Sequence, residues 1–380
     1  MAAEPTDREM MHDQIISQPA LLRDLVEPAT RQVADALGGV QPQRWQAIYT
    51  AGCGDSYYAG LACEMAFARF CRLPVKALAA MPFARYEANQ APTPAGVFGI
   101  SNSGEVARSI EAIALARAAG LDTVSVTGRA DSRIARQAAA AIAVPIAPMG
   151  RAPGIRSYTV QLVSLLLCAL RIGELREVLT AAEADRWRQR LVETADCMAA
   201  TIAAADAPAR EAAQRFRDSE NWVFLGCGPN YATALFSAAK MVESCGANAW
   251  GQDIEEWGHI QFFNRQQYTP TCLILPPGRS LDRAAELLPH VKAVGRHTLA
   301  VAHGDPASLP VPVDVFLPVP ESMPELFTPL VYCLAGELLA YHLADVRQSS
   351  FFQPTGGVSG AGDRLRESRI LRRLEELPSD

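Results

Sequence analysis

Apolar positions along the chain fall into two kinds of run. Between residues 8 and 38, Ile15, Leu21, Leu22, Leu25, Val26 and Val33 recur at three- and four-residue steps before a Gly38-Gly39 stop, which predicts a helix. Short apolar runs then alternate with helical periods. AIYTAG (47–52), VKALAA (75–80), AGVFGIS (95–101), DTVSVTG (122–128) and AAIAVPI (140–146) read as strands; residues 56–71, 105–120 and 159–172 read as helices, the last one buried. A long helical stretch from Ala181 to Phe216 follows, and the alternation restarts. WVFLGCG (222–228), PTCLILP (270–276), HTLAVA (297–302) and PVDVFLPVP (312–320) read as strands, with helices at 231–244, 281–295 and 327–343. Strand and helix in alternation imply parallel sheets covered by helices on both faces.

The restart is also literal. YTAGCGDSYYAGL begins at Tyr49 and VFLGCGPNYATAL at Val223, too far apart for a solenoid repeat and about right for two copies of one domain. The expected organisation is an N-terminal helical segment (1–40), a first α/β domain (41–200), a second (201–345) and a tail (346–380). In that tail PTGGVSGAG (354–362) reads as a flexible loop that could close as a lid, and DRLRESRILRRLEE (363–376) as a solvated capping helix.

Composition narrows the class. The 380 residues are 49% hydrophobic, enough for two cores, while a net charge of −6 and a pI near 5.6 argue against nucleic acid as a partner. Anions must be held locally. The nine cysteines are scattered without a CxxC pair and read as reduced thiols of a cytoplasmic protein. The charged N-terminus has no apolar leader core, and the longest apolar stretch (159–170) is too short to span a bilayer, so no membrane role is expected. No metal and no organic cofactor is expected: GxxxxGK[ST] is absent and no GxGxxG follows a strand.

Candidate chemistry sits at strand ends, where open parallel sheets bind ligands. GCGDS (52–56) and SNSGE (101–105) each follow a strand and open a helix. In the second, small side chains meet the free N–H groups of a helix start, which suits a phosphate monoester; a simple capping box is the alternative. The second copy keeps the Gly-Cys-Gly turn but reads LPPGR where donors would be needed, and proline has none. That copy offers instead Lys240 and Glu243, three apart on a helix, and an acidic run ending in His259.

With these residues the chain resembles a tandem sugar-isomerase (SIS) domain protein, most closely the isomerase half of glucosamine-6-phosphate synthases. MHDQIISQPALL, AGCGDSYYAGL, ISNSGEVARSIEAIALARAAG, SYTVQLVSLLLCAL, FLGCGPNYATALFSAAKMVES and FTPLVYCLAGELLAYHLA match it in order. The resemblance implies two flavodoxin-like, three-layer α/β/α domains. It implies phosphate contacts at Ser101, Ser103 and the backbone around Asn102, with Ser56 and Gly54 in the first turn; Cys53, Asp55, Glu105 and Arg156 complete the substrate site, Arg156 standing in for a lost hydroxyl contact or for a lysine. It implies a buried Glu243 as the proton-transferring base, Lys240 as its helix neighbour, His259 as the ring-opening group supplied across a homodimer with shared active sites, and a sugar phosphate as ligand. Departures stand at Val106 and Asp55, where the family has threonines; Asp55 puts a carboxylate where a phosphate oxygen would be repelled. No glutaminase half is visible, so amination would need a separate ammonia-supplying glutaminase. The reactions implied are aldose/ketose isomerisation or amino-sugar-phosphate deamination through a 1,2-enediol or enolamine; a deglycase of phosphorylated sugar-amine adducts and a non-catalytic sensor are the alternatives.

Overall fold

The computed structural model describes residues 7–150, 152–352 and 371–376. They divide into two compact units. The N-terminal unit holds residues 21–148 and 157–192 with 371–376; the C-terminal unit holds residues 193–352 with 7–20 and 149–156.

After helix α1 (Asp7–Gly38), the N-terminal unit runs β1 (Ile48–Gly52), α2 (Asp55–Cys71), β2 (Val75–Ala79) and α3 (Ala80–Pro82), the last continued by a π turn, Phe83–Glu87. It goes on through β3 (Gly96–Ile100), α4 (Ala107–Ala118), β4 (Asp122–Thr127), α5 (Arg133–Gln137), β5 (Ala140–Ala143) and α6 (Arg156–Leu175) into α7 (Ala181–Arg215). All pairings are parallel, in the order β2-β1-β3-β4-β5. The C-terminal unit comprises β6 (Asn221–Gly226), α8 (Pro229–Cys245), β7 (Asn248–Asp253), α9 (Ile254–His259), β8 (Pro270–Leu275), α10 (Leu281–Ala293), β9 (His297–His303), β10 (Val315–Val319) and α11 (Thr328–Val346). Its order, β7-β6-β8-β9-β10, is the same as that of the first sheet. Both are therefore flavodoxin-like three-layer α/β folds with strand order 2-1-3-4-5.

The central strands β1, β3 and β8 are buried along their whole length, which is why they read as unbroken apolar runs. The Gly-Cys-Gly phrase recurs because the backbone does. Gly54 has φ 56°, ψ −128° and Gly228 φ 55°, ψ −132°, close to the first central residue of a type II′ turn, where glycine is favoured. The turns are closed by Ser56 N donating to Cys53 O (3.3 Å) and Asn230 N to Cys227 O (3.0 Å). Gly52 has no room for a side chain: a Cβ would lie 2.6 Å from the Ser56 backbone.

Some elements differ from the sequence expectation. β7 and α9 occupy a stretch expected only to be an acidic cluster, since the edge strand NAWGQD lacks an apolar run. α3 with its π turn, and α5, are likewise additional. α6 extends to 20 residues, and with Glu325–Val346 it is long and apolar enough to cross a membrane by length and composition; the expectation that its apolar stretch is too short does not hold. Both are core helices of their units, with 83% and 94% of the apolar window buried. The glycine-rich stretch 354–362 and most of the expected capping helix lie outside the described residues; at the end of that stretch Leu374–Glu376 forms a 3-10 turn.

Candidate active site

In the N-terminal sheet the strand order reverses between β1 and β3, which pair with Ala51 opposite Gly99. The loops leaving these two strands are the turn Cys53–Ser56 and the segment Ser101–Val106, so the topology sets them side by side at the switch point. Ser101 is buried; its N–H donates to Val126 O (3.0 Å) and its hydroxyl accepts from Gly104 N (3.1 Å). The Asn102 carbonyl is fixed by Gly128 N (2.9 Å) and Thr127 Oγ1 (3.3 Å). Asn102 and Ser103 are exposed, and Ser103 Oγ accepts from Glu105 N (3.3 Å). The loop backbone is thus anchored to β4, with Ser101 turned inward and Asn102 and Ser103 facing outward.

The capping-box alternative is not realised. α4 begins at Ala107 rather than Glu105, its N-cap Val106 offers no side-chain bond, and the Glu105 carboxylate accepts from Arg133 N (3.0 Å) at the start of α5. In the first turn Cys53 and Asp55 are partly exposed, Gly54 is exposed, and the buried Ser56 hydroxyl accepts from Gln161 Nε2 (3.1 Å). Burial pushes the Cys53 thiol up, offset in part by a hydrogen bond to Ser109, so it is no ready nucleophile. Arg156 opens α6 and is grouped with the C-terminal unit.

The corresponding loop of the C-terminal unit has the same length, since α4 starts three residues after Gly104 and α10 three after Gly278. Pro276 and Pro277 stand where Asn102 and Ser103 do, and the backbone N–H of Arg279 donates to the unit's own Glu325 (3.3 Å). An internal carboxylate already occupies this amide. Sequence reading missed Glu325, since nothing local to it signals the loop it reaches.

On α8, Lys240 Nζ lies 2.5 Å from Glu243 Oε2 and 4.8 Å from the centre of the Phe236 ring. The burial is opposite to the expectation: Lys240 is fully buried, while 28% of the Glu243 side chain stays exposed. His259 ends α9 with 65% of its side chain exposed and Nε2 3.4 Å from Glu255. Glu255 is gripped by Arg283 at 2.7 and 3.2 Å, whose hydrogen bonds hold its carboxyl below the usual range. Glu255, His259, Arg283 and His290, with Trp257 and Phe262, line an open pocket of about 220 Å³ whose walls do not include Lys240 or Glu243. Arg283 and His290 were also missed, lying on a helix whose pattern reads only as amphipathic.

Residues 43–171 match the family model for the SIS domain. That stretch is similar to a SIS domain. It contains the Cys53–Ser56 turn and the Ser101–Glu105 loop. Over a longer span the chain is similar to isomerizing glutamine–fructose-6-phosphate aminotransferases: 27% identical over 354 residues to that of Agrobacterium fabrum (91% of this chain, 58% of the relative). To that of Pyrococcus horikoshii it is 28% identical over 348 residues (90% and 56%). The chain thus spans little more than half the length of these curated relatives. Among solved structures, the C-terminal domain of glucosamine-fructose-6-phosphate aminotransferase from Francisella tularensis superposes with TM-score 0.76 at 20% identity, covering 90% of this chain and 98% of that one. Glucosamine-6-phosphate deaminase from Thermotoga maritima does so with TM-score 0.70 at 17% identity, covering 91% and 98%. At these identities the superpositions speak for the fold, in which the SIS domain is followed by a second unit of the same strand order.

Proposed function

We propose that this protein is a phosphosugar isomerase or amino-sugar-phosphate deaminase. The Ser101–Ser103 loop anchors the phosphate: the Ser103 hydroxyl and the Asn102 amide are exposed at the switch point, on a turn held by the buried Ser101, and the relatives are named for fructose 6-phosphate, which sets the type of ligand. Glu243 moves the proton between C1 and C2 of the opened sugar, and the pair Lys240–Glu243 is the observation that carries this reading. A buried ammonium 2.5 Å from a solvent-reachable carboxylate fixes the base's orientation and leaves its other oxygen to act. His259 assists ring opening. The exposure of His259 beside exposed Ile260, Phe262 and Phe263 supports its use across a homodimer. Isomerisation on this reading is proton transfer alone; deamination adds water to the C2 imine that the proton transfer creates and releases ammonia, and neither draws on a cofactor.

The test is solvent exchange. Incubated in D₂O with fructose 6-phosphate, glucosamine 6-phosphate or a phosphorylated sugar-amine adduct, the protein should exchange hydrogen at C1 or C2 of at least one of them, followed by NMR. Binding without exchange would replace the enzyme by a sensor; exchange only with the adduct would favour a deglycase.

A further inference from the structure

A second concave site lies in the N-terminal unit at the other end of α2. Asp55 and Ser56, at the start of that helix, belong to the loops at the switch point. Its last turn, 17 residues on and about 25 Å away along the axis, carries Arg69 and, as a left-handed C-cap with φ 50°, Arg72. With Glu183, Arg186 and Trp187 from the first turns of α7, and with Val178 and Leu179, these form a pocket of about 370 Å³.

Its charge is unbalanced. Among the described residues none of Arg69, Arg72 and Arg186 forms an ion pair, and all three are exposed. The acids nearby are engaged elsewhere. Glu183 accepts from Thr180 N (2.9 Å) and Thr180 Oγ1 (2.8 Å) at the start of α7, Asp185 is paired with Arg188 (2.6 Å), and Glu174 with Arg188 (2.7 Å) and Arg171 (3.3 Å). The electronegative end of α2 is covered as well. Arg176 donates to Cys71 O (3.0 Å), and Arg72 N to Ala68 O (3.1 Å), so the last carbonyls are turned away from a ligand. The floor is rigid: Phe70, 1% exposed, packs 5.1 Å from Trp187, whose ring carries the Arg69 guanidinium at 5.1 Å and Arg190 at 5.6 Å. Stacking restrains Arg69, which lowers the ordering cost of a ligand.

The geometry points to a second anion site here, built for the phosphate or diphosphate group of a small phosphorylated molecule. Three guanidiniums outnumber the single lining carboxylate, Glu183, in one concavity of a chain whose net charge is −6, and planar forks of five donors suit tetrahedral oxyanions. The site is independent of the loop that contains Ser101.

Calorimetric titration with pyrophosphate tests it. A Ser101→Ala/Ser103→Ala variant, weakened at the switch-point loop, reads this pocket alone and should still bind pyrophosphate. Adding Arg72→Gln and Arg186→Gln, both exposed and without effect on the melting temperature, should weaken that binding at least tenfold. Absence of binding in the serine variant, or binding unchanged by the two arginine substitutions, overturns the assignment.

Discussion

Lys240 and Glu243 form an ion pair of unequal partners: the ammonium has lost all contact with solvent, while the carboxylate 2.5 Å away retains 28% of its side-chain exposure. Removing the glutamate takes a partner from a charge in the core; removing the lysine leaves a charge that water can reach.

Glu243→Gln should therefore destabilise the protein more than Lys240→Met, by up to about 3–5 kcal/mol, the cost of breaking a pair at its buried charge. Urea unfolding of the two variants checks the order. At a temperature where both are folded, Glu243→Gln should lower C1/C2 exchange by about 10²–10⁴-fold, the usual share of a general base, while sugar-phosphate binding persists.

The two switch-point loops make a natural exchange experiment. Transplanting the prolines by Asn102→Pro/Ser103→Pro removes two backbone N–H groups, an amide and a hydroxyl from the N-terminal loop. At about 1.5–3 kcal/mol for each hydrogen bond to a charged group, sugar-phosphate affinity should fall more than tenfold. Equilibrium binding to fructose 6-phosphate reads the loss, with circular dichroism as a check on folding.

Much of this was legible in the chain. The repeated Gly-Cys-Gly announced two copies of one turn, and the central strands were found because burial on both faces leaves an apolar run in β1, β3 and β8. β7 was not, because an edge strand such as NAWGQD needs no such run. The candidate loop was visible from its small residues, yet Glu105 pairs with a backbone amide 28 positions away, and only tertiary structure shows that it does not cap its own helix. Glu325 is 46 positions from the amide it occupies, equally beyond local pattern. The Lys240–Glu243 pair was found by spacing, but spacing on a helix does not say which partner faces the core.

Gly54 and Gly228 share a backbone that side chains avoid, though an added Cβ at either would meet open space. Gly54→Ala and Gly228→Ala should thus cost similar amounts, about 1–3 kcal/mol of pure backbone strain. Thermal unfolding of the pair measures this, and a markedly smaller cost at Gly228 would show that the second turn relaxes more easily.

Thiol reactivity should follow burial. Cys71 and Cys272 are pushed up to about 12 by burial, as is Cys197 with the Glu321 carboxylate adding to the effect; Cys63, Cys168 and Cys333 are likewise raised. Of the nine cysteines only Cys53, Cys227 and Cys245 are partly exposed. A disulfide reagent at pH 7.5 should modify no more than these three in the native protein, slowly since their thiols are also raised, and all nine in denaturant.

His342, buried on α11, sets an acid limit on stability. Its Nε2 lies 2.8 Å from Asp206, with Arg210 bound to the same carboxylate at 3.2 Å, His12 at 3.9 Å from it and the Tyr341 ring alongside. Burial pulls the His342 imidazole below its ordinary 6.5; the Asp206 hydrogen bond pulls the other way and loses. The unfolded chain then binds this proton first, so the contribution to stability is complete above pH 6.5 and is lost as the pH falls from there through the lower folded value. Melting temperatures measured from pH 8 to pH 5 should decline below 6.5, and His342→Gln, which cannot titrate, should show a shallower decline. Equal slopes would mean that the carboxylates alone set the acid limit.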